Sequence, residues 1–466
     1  MENQPMQGNR PSNPRRRPRS KMQIFKESYL PLLILAIAVI AIVVIVVAVS
    51  AGGKEPGPSD GPDNGSTSSS LEQEAKQLLA QAEQLALAYD YDGALAVLES
   101  FEGNIDDYPE LKSAWDQYTI IKHNMVSWTA DQVPNLSFHV LIADLDKALA
   151  DPRYGQSGTG QYNRNFITTD EFTSILRRLY ENGYVLVSLS DLYTYEYSQS
   201  ADKSVYVENV LLLPPDKKPI LLTETHCNYY SYMVDMDEDG QPDADGAGFA
   251  SKLCWDNGFY NEMVASDGSI VTGEFDLVPV LEEFIQLHPD FSYKGARAIL
   301  AFSGYDGIFG YRITSETASS YALAADRESA AELIRHLRDT GYTMACYTYD
   351  NVDYSVKSAT EVQEDIQLWQ ELIAPVVGKT DIMVFAWEAD IGTSYDNNQK
   401  FDILYQQGYR FFMGSAPFLS QEAAELYVRH NRLMVTASNL YHHPEWFSQL
   451  FDTDNLLDLR RNAVPK

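Results

Sequence analysis

One acidic segment has the residue types and spacing of a cation site. In residues 235–246 aspartates alternate with other residues, and Gly240 lies at the centre. Alternating carboxylates can converge on one calcium ion, and the glycine permits the sharp turn of such a loop. Gly246 stands where an EF-hand loop has its last glutamate, so a solvated acidic hairpin tip is an equal alternative. The candidate calcium ligands are Asp235, Asp237, Asp239, Asp243 and Asp245.

Aromatic residues are a second group with a chemical use, because Tyr and Trp rings can stack on sugars. The chain of 466 residues contains 30 Tyr, 19 Phe and 6 Trp. Most such rings belong to a core, but several fall on or near predicted strand ends and could line a glycan-binding groove. These are Trp255, Tyr305, Tyr311, Tyr347, Tyr349 and Trp387, together with His139, which could equally be a core histidine.

Composition and charge exclude several classes of protein. The net charge of −31 disfavours a nucleic-acid binder, because phosphates need a basic surface. A hydrophobic content of 45% is typical of a globular chain, and three cysteines cannot form a disulfide scaffold. The N-terminus departs from the general acidity, because seven Lys and Arg precede residue 30 against two Glu.

An apolar run follows that basic tail. Residues 31–49 contain no charged side chain, and about 20 apolar residues can span the hydrocarbon layer of a bilayer. This pattern predicts a cytoplasmic tail at 1–28, a transmembrane helix at 29–50 and an extracellular remainder. The predicted location is therefore the cell membrane, with a single pass. A cleaved signal peptide is the alternative, since small residues at 49–53 could form a cleavage site.

Two further segments precede the main domain. Residues 51–70 are rich in Gly, Pro, Ser and Asp, which predicts a flexible linker. Residues 71–128 carry Ala and Leu at helical spacing on either side of a break at 90–93, which predicts a helical module resembling one tetratricopeptide repeat. Such a module could be a stalk, a cap packed on the next domain, or a separate peptide-binding unit.

The largest segment, 134–460, alternates between strand and helix patterns. Thr168 and Glu171 form a capping-box pattern that predicts a helix start. The run 184–187 predicts a strand, and 362–377 predicts one helix. Such alternation predicts an α/β fold with parallel strands, either open or closed into a barrel. Functional groups in these folds lie at the carboxyl ends of the strands.

The order and spacing of these segments resemble the polysaccharide deacetylase family of the NodB-homology, carbohydrate esterase type. Residues 138–141 are similar to the family's first strand with its histidine, and 218–227 are similar to the strand leading into its TFDDG motif. The resemblance implies a deacetylase-like (β/α) barrel and a hydrolase that uses zinc or another divalent metal. The other similar segments are 169–172, 179–184, 189–193, 276–281, 304–312, 337–351 and 380–392.

The catalytic motifs of that family are degenerate in this chain. The resemblance implies an Asp and two His as metal ligands and a second Asp as general base. Thr225 stands at the base position and His226 at the metal-Asp position, while Tyr347 and Asn351 replace the two His ligands. Glu388 ends a loop that lacks the family's Pro and Gly. Neutral Tyr and Asn are poor zinc ligands, so His226 alone remains a candidate ligand and we expect no zinc.

A rebuilt metal site is an alternative that the same resemblance suggests. It would place His226, Cys227 and Cys346 at the ends of neighbouring strands, near Glu224 and Asp350. Cys and His suit zinc or copper, but two small buried apolar cysteines are the simpler explanation. A disulfide between Cys227 and Cys346 is a further alternative outside the cell.

These observations predict a membrane-anchored extracellular protein that resembles a deacetylase, has lost catalysis and binds a cell-envelope glycan. The predicted partners are that glycan and the membrane, and calcium is the one metal left open. Two alternatives remain: a divergent, active metal-dependent N-deacetylase of an envelope polysaccharide, and a protein-interaction scaffold that uses the helical module.

Overall fold

The computed structural model describes residues 64–198, 203–235, 244, 246–314, 320–461 and 464. Helices and strands alternate through most of this part of the chain. The helices are α1 Asn64–Leu87, α2 Tyr91–Glu99, α3 Pro109–His123, α4 Leu145–Ala150, α5 Gln161–Asn165, α6 Thr169–Glu181, α7 Leu189–Leu192, α8 Ser231–Val234, α9 Leu277–Leu287, α10 Ser320–Thr340, α11 Ala359–Leu372, α12 Ala374–Val377, α13 Gln399–Gln406 and α14 Ala437–His442.

The strands range from two residues in β17 to eight in β7. They are β1 Val126–Trp128, β2 Asn135–His139, β3 Tyr184–Leu186, β4 Tyr193–Ser198, β5 Lys203–Glu208, β6 Leu211–Leu213, β7 Lys218–Thr225, β8 Lys252–Trp255, β9 Phe259–Val264, β10 Ile270–Gly273, β11 Ile299–Phe302, β12 Thr343–Cys346, β13 Ile382–Val384, β14 Phe411–Met413, β15 Gln421–Ala423, β16 Val428–His430 and β17 Leu433–Met434.

The main sheet has ten strands and is curled into a half-barrel. Its order is β15-β16-β14-β13-β12-β11-β7-β2-β17, and β3 also pairs with β7. Every neighbouring pair is parallel except β15 with β16. Three smaller antiparallel sheets accompany it: β1 with β6, β4 with β5, and β8 to β10. Because the main strands are parallel, their carboxyl ends meet at one edge of the sheet.

Alternate positions along the main strands point to opposite faces and form two cores. Phe138 and Phe302 belong to the first core, which the helices of the α/β region cover and which we call the helix-covered core. Ala301 and Val384 belong to a second core on the other face. Helices α1 to α3 join this second core through Ala82, Ala94 and Leu111 respectively.

The face of the second core also carries polar side chains on β2 and β7. Asn135 and Thr223 are buried, and Thr223 Oγ1 donates to Asn135 Oδ1 at 2.9 Å. At the last position of both strands, His139 pairs in register with Thr225. A buried polar group without a hydrogen-bond partner costs about 1–3 kcal/mol. The neighbouring strand supplies that partner here. This polar row leads to the carboxyl edge of the sheet.

Helix α6 begins at the capping box that the sequence predicts. Thr168 Oγ1 accepts the Glu171 N–H at 3.1 Å, and the Glu171 carboxylate accepts the Thr168 N–H at 2.7 Å. Arg461 binds the same carboxylate at 2.9 and 3.0 Å. It also donates to the carbonyls of Asn163 and Phe166. A buried ion pair therefore ties the C-terminal segment to α6.

The predicted fold class, a deacetylase-like (β/α) barrel preceded by a transmembrane helix, is corrected by this structure. The fold is mixed α/β with a curled half-barrel sheet, because β15 and β17 remain unpaired edges on the far sides of the described sheet. No helix in the described part of the chain is both long and apolar enough to cross a membrane. The predicted single-pass membrane location conflicts with that finding and is withdrawn. The segments that carried it, 1–28 and 29–50, lie outside the described residues, as does 51–63 of the predicted linker.

Candidate functional site

The candidate site begins where β2 and β7 end side by side. His139 Nδ1 lies 2.8 Å from Thr225 Oγ1, and Thr225 Oγ1 donates to the Phe138 carbonyl at 3.1 Å. Because a hydroxyl has only one proton, we assign to His139 the tautomer that carries its proton on Nδ1 and donates to Thr225. The pairing of the two strands fixes the position of the His139 ring.

His226 follows Thr225 with a positive φ of 62°, which is uncommon for residues other than glycine. The chain leaves the strand there, and the His226 ring lies 4.7 Å from the His139 ring and 5.1 Å from the Tyr347 ring, between centroids. Its Nδ1 is 2.9 Å from the Tyr230 hydroxyl. We call His139, His226, Tyr230 and Tyr347 the strand-end cluster.

Both histidines of the strand-end cluster are neutral at pH 7. Burial is the largest cause that lowers the pKa of His139 well below 6.5, and the neighbouring His226 and Arg432 add to it. Burial and then Arg432 lower the pKa of His226 to about 4. Both rings keep a partly exposed edge, so a ligand can reach them. A neutral imidazole offers one N–H donor and one lone pair.

A buried cation contributes to the potential at this cluster. Arg432 is 1% exposed and donates to Ser137 Oγ at 2.9 Å and to the Phe385 carbonyl at 3.1 Å. Burial lowers its pKa, while the charges of Tyr347 and Glu388 act in the opposite direction. Among the described residues it has no ion-pair partner. Its uncompensated charge disfavours a second cation nearby.

The residues at the family's metal positions do not fit a metal. Burial raises the pKa of Tyr347 to about 12, so this phenol stays protonated and is a poor substitute for a histidine ligand. The Thr225 hydroxyl donates a hydrogen bond to a backbone carbonyl, and a hydroxyl cannot act as a base near pH 7. In the described part of the chain, no group of three or more His, Cys, Asp or Glu side chains could hold a metal ion.

The rebuilt cysteine site is not assembled either. Cys227 and Cys346 are both free thiols in the helix-covered core, so the proposed disulfide is absent. Burial raises the pKa of both thiols and keeps them protonated. Glu224 is fully buried beside Cys227. Both thiols therefore belong to the helix-covered core, whereas Tyr347 of the strand-end cluster belongs to the second core.

An exposed tryptophan stands beside the cluster, in the loop after β13. Trp387 is 67% exposed, yet its Nε1 donates to the Asn351 carbonyl at 2.7 Å. Trp387 and Glu388 both have positive φ, 57° and 62°, which costs energy in a residue other than glycine. The loop thus holds an indole ring in a fixed position that is open to solvent.

The structure brings one other predicted groove residue to the cluster and places two elsewhere. Tyr305 is 52% exposed, and its ring lies 5.5 Å from that of Tyr230. Tyr349 is buried in the helix-covered core. Trp255 belongs to the three-stranded sheet and stacks on His336 at 4.5 Å. Of these predicted residues, Tyr305 and Trp387 therefore lie beside the strand-end cluster and remain candidates, whereas Tyr349 and Trp255 lie elsewhere.

One of the predicted calcium ligands is described. Asp235 is 2% exposed, and its N–H donates to the Ser231 carbonyl at 2.8 Å. The others, Asp237, Asp239, Asp243 and Asp245, lie outside the described residues. Calcium binding by this segment therefore stays a prediction.

Two open cavities of about 430 and 510 Å³ lie at the opposite edge of the sheet, where the strands begin. The first is lined by Thr343, Ile382 and Phe411, each at the first position of a strand. Its Tyr206 hydroxyl already donates to Asp381 Oδ2 at 2.5 Å. Neither cavity includes a residue of the strand-end cluster, so the cluster lies outside both of these cavities.

Sequence analysis missed Arg432, Tyr230 and the pairing of Glu224 with Asp276. Arg432 comes directly before the two-residue strand β17, in a segment that matched no motif. A single basic residue beside an apolar run was its only signal. Tyr230 could have been found from its distance of four residues from His226, had the turn after β7 been recognised as part of the site.

Comparison with known proteins gives little further assignment. No family model matches the chain, and no curated protein matches it. One solved structure that aligns with it is the Streptococcus pyogenes deacetylase PplD in complex with acetate. The alignment covers 70% of this chain and 99% of that chain, with 12% identity and a TM-score of 0.35. A deacetylase is thus a distant structural neighbour, and the comparison assigns neither a family nor an activity to this chain.

Proposed function

We propose that this protein binds a glycan at the carboxyl edge of its half-barrel sheet and does not hydrolyse it. The observation that carries the proposal is the indole of Trp387, which is largely exposed and yet pinned by the Asn351 carbonyl. Fixing an exposed apolar ring gains nothing for the core. It does give a flat, preorganised surface, and preorganisation lowers the entropic cost of binding.

A row of rings begins beside Trp387. The backbone N–H of Trp387 contacts the Tyr347 hydroxyl, and the Tyr347 ring lies 5.1 Å from His226. His226 is followed by Tyr230 at 5.6 Å and Tyr305 at a further 5.5 Å. Aromatic rings that alternate with polar tips suit sugars, which present apolar faces and hydroxyl edges. The row is thus consistent with a chain of several sugar units.

The absence of hydrolysis is proposed from the groups that replace the catalytic ones. Thr225 stands at the base position and its hydroxyl donates a hydrogen bond to a backbone carbonyl, while Tyr347 is a protonated phenol. Activation of water requires a base or a metal-bound hydroxide. Neither Thr225 nor Tyr347 offers an accessible lone pair of sufficient basicity. His139 and His226 are weak bases, because burial lowers the pKa of both rings.

Binding is tested with the full-length protein and a tetramer of N-acetylglucosamine, by titration calorimetry. Trp387→Ala should weaken the complex at least about tenfold, as expected for a central tryptophan. Phe418→Ala is the matched control, because Phe418 is 64% exposed and lines the cavity at the opposite edge of the sheet. Equal affinities of the two variants would contradict the placement of the groove.

Hydrolysis is tested separately by measuring acetate released from the same tetramer. We expect no release above the blank without protein. Release that is lost in His226→Asn would show that the cluster is catalytic and would overturn the second half of the proposal.

A further inference from the structure

We propose that His139 and His226 act as a pair of hydrogen-bond acceptors, which bind two neighbouring donor groups on one sugar ring. The inference rests on the proposed glycan-binding function and names the part of the sugar that the strand-end cluster recognises. It follows from the protons that the surrounding hydrogen bonds leave on each ring. A histidine tautomer is set by the bond that its other nitrogen makes.

The proton on His226 is determined by a chain of hydrogen bonds. Asn228 Nδ2 donates to the carbonyls of Ser303, at 3.0 Å, and Gly307, so the Asn228 Oδ1 atom must accept. Ser303 Oγ donates its only proton to that oxygen at 3.2 Å. Ser303 Oγ therefore accepts a hydrogen bond from the Tyr230 hydroxyl, which it contacts. The Tyr230 oxygen then accepts from His226 Nδ1–H at 2.9 Å.

The proton on His139 is determined in the same way but by a shorter chain. Thr225 donates to the Phe138 carbonyl, so its oxygen accepts from His139 Nδ1–H. Each imidazole thus carries its proton on Nδ1. Within the described residues, no protein donor bonds Nε2 of either ring. Two bare lone pairs therefore remain on rings whose centroids are 4.7 Å apart.

These two lone pairs need donors, and the charges nearby decide which kind. Arg432 is buried without an ion-pair partner among the described residues and acts on both rings. A metal ion or an ammonium group would be repelled by it. Neutral donors carry no such penalty. Because the two rings are so close, both lone pairs contact donors on the same residue of the ligand. The ligand class is therefore a neutral sugar with adjacent hydroxyl or amide N–H donors.

The test compares two substitutions of His226 in the full-length protein. In His226→Asn the side-chain amide can keep the donor to Tyr230 but leaves no acceptor at the Nε2 position. Asparagine also tolerates the positive φ of 62° at this site. We expect affinity for the N-acetylglucosamine tetramer to fall about three- to tenfold. His226→Gln, which can place an amide oxygen near the Nε2 position, should recover most of the loss.

His139→Asn should weaken binding by a similar factor, and nitrogen NMR of the ligand-free protein should show both histidines protonated at Nδ1 alone. If Trp387→Ala loses affinity while His139→Asn and His226→Asn bind like the unmodified protein, the acceptor pair is refuted and glycan binding stands. If the unmodified protein does not bind the tetramer, the proposed function fails first. Stoichiometric zinc binding that His226→Asn abolishes would also overturn the inference, because the metal would take the lone pairs.

Discussion

A pair of buried carboxyl groups should make the stability of this protein depend on pH. Glu224 and Asp276 are both fully buried, and their carboxyl groups lie within hydrogen-bond reach of each other. Asp276 Oδ1 also accepts the Leu141 N–H at 2.7 Å. Burial, followed by the charge of Asp276, raises the pKa of Glu224 well above 4.5. The pair therefore holds one shared proton in the folded state.

The size of the effect follows from counting that proton. Above pH 5 the unfolded Glu224 has lost it, whereas the folded pair keeps it until the raised pKa is reached. The stabilising contribution is complete below pH 4.5 and declines as the pH rises. Between the ordinary pKa of Glu224 and its raised pKa in the folded state, the free energy of unfolding should fall by about 1.4 kcal/mol per pH unit.

The assay is urea unfolding of the unmodified protein and of Glu224→Gln between pH 5.5 and 7.5. The variant does not titrate and keeps a donor for Asp276, so its stability relative to the unmodified protein should rise by the amount given above. Taking the difference removes the contribution of the histidines, which titrate in both proteins. Glu332→Gln, which changes an exposed carboxylate, should run parallel to the unmodified protein. Parallel profiles for Glu224→Gln would refute the shared proton.

Two further predictions concern packing and are measured by urea unfolding at pH 7. Arg461→Ala leaves the buried Glu171 carboxylate without its ion-pair partner and should lower the free energy of unfolding by about 3–5 kcal/mol. Arg460→Ala, the control at a half-exposed neighbour, should lower it by less than about 1 kcal/mol. Equal losses of stability in the two variants would contradict the argument from burial. Leu98→Ala removes a side chain of α2 that is 1% exposed and should cost about 2–5 kcal/mol in one cooperative transition. Separate transitions for the α1–α3 segment and the rest would show that the shared core does not couple them.

The sequence indicated the long periodic elements of the fold but not the short irregular ones. Strand 218–225 contains the apolar run 219–222, and the capping box of Thr168 marks the start of helix α6 directly. By contrast, the predicted helix 362–377 is divided into α11 and α12, because Pro375 lacks the N–H that a continuous helix needs. The β4–β5 and β8–β10 ribbons were missed, although Tyr193, Tyr195 and Tyr197 of β4 alternate with polar residues, which is the pattern of a half-buried strand.

The site was predictable only as far as its position. The pattern of parallel strands placed His139, Thr225 and His226 near one another, as the structure does. The face that a residue uses is less certain, because a shift of one position along a strand reverses it. Glu224 precedes Thr225 by one residue and lies in the opposite core. The contribution of Arg432 could not be foreseen, since it depends on contacts with three separate strands or their ends.

The backbone turns at the carboxyl edge of the half-barrel bear on function. Before β3 and β12, at the edge where strands begin, the chain uses Gly183 and Gly341 at positive φ, where glycine has no steric penalty. At the carboxyl edge several residues other than glycine have positive φ, among them His226 after β7, Thr348 after β12 and Trp387 after β13. Each such residue costs on the order of 1–3 kcal/mol, and strain of this kind persists where the surroundings enforce it. Since glycine would relieve it, the strain is best explained by a requirement for the side chains, two of which are the imidazole and the indole of the proposed groove.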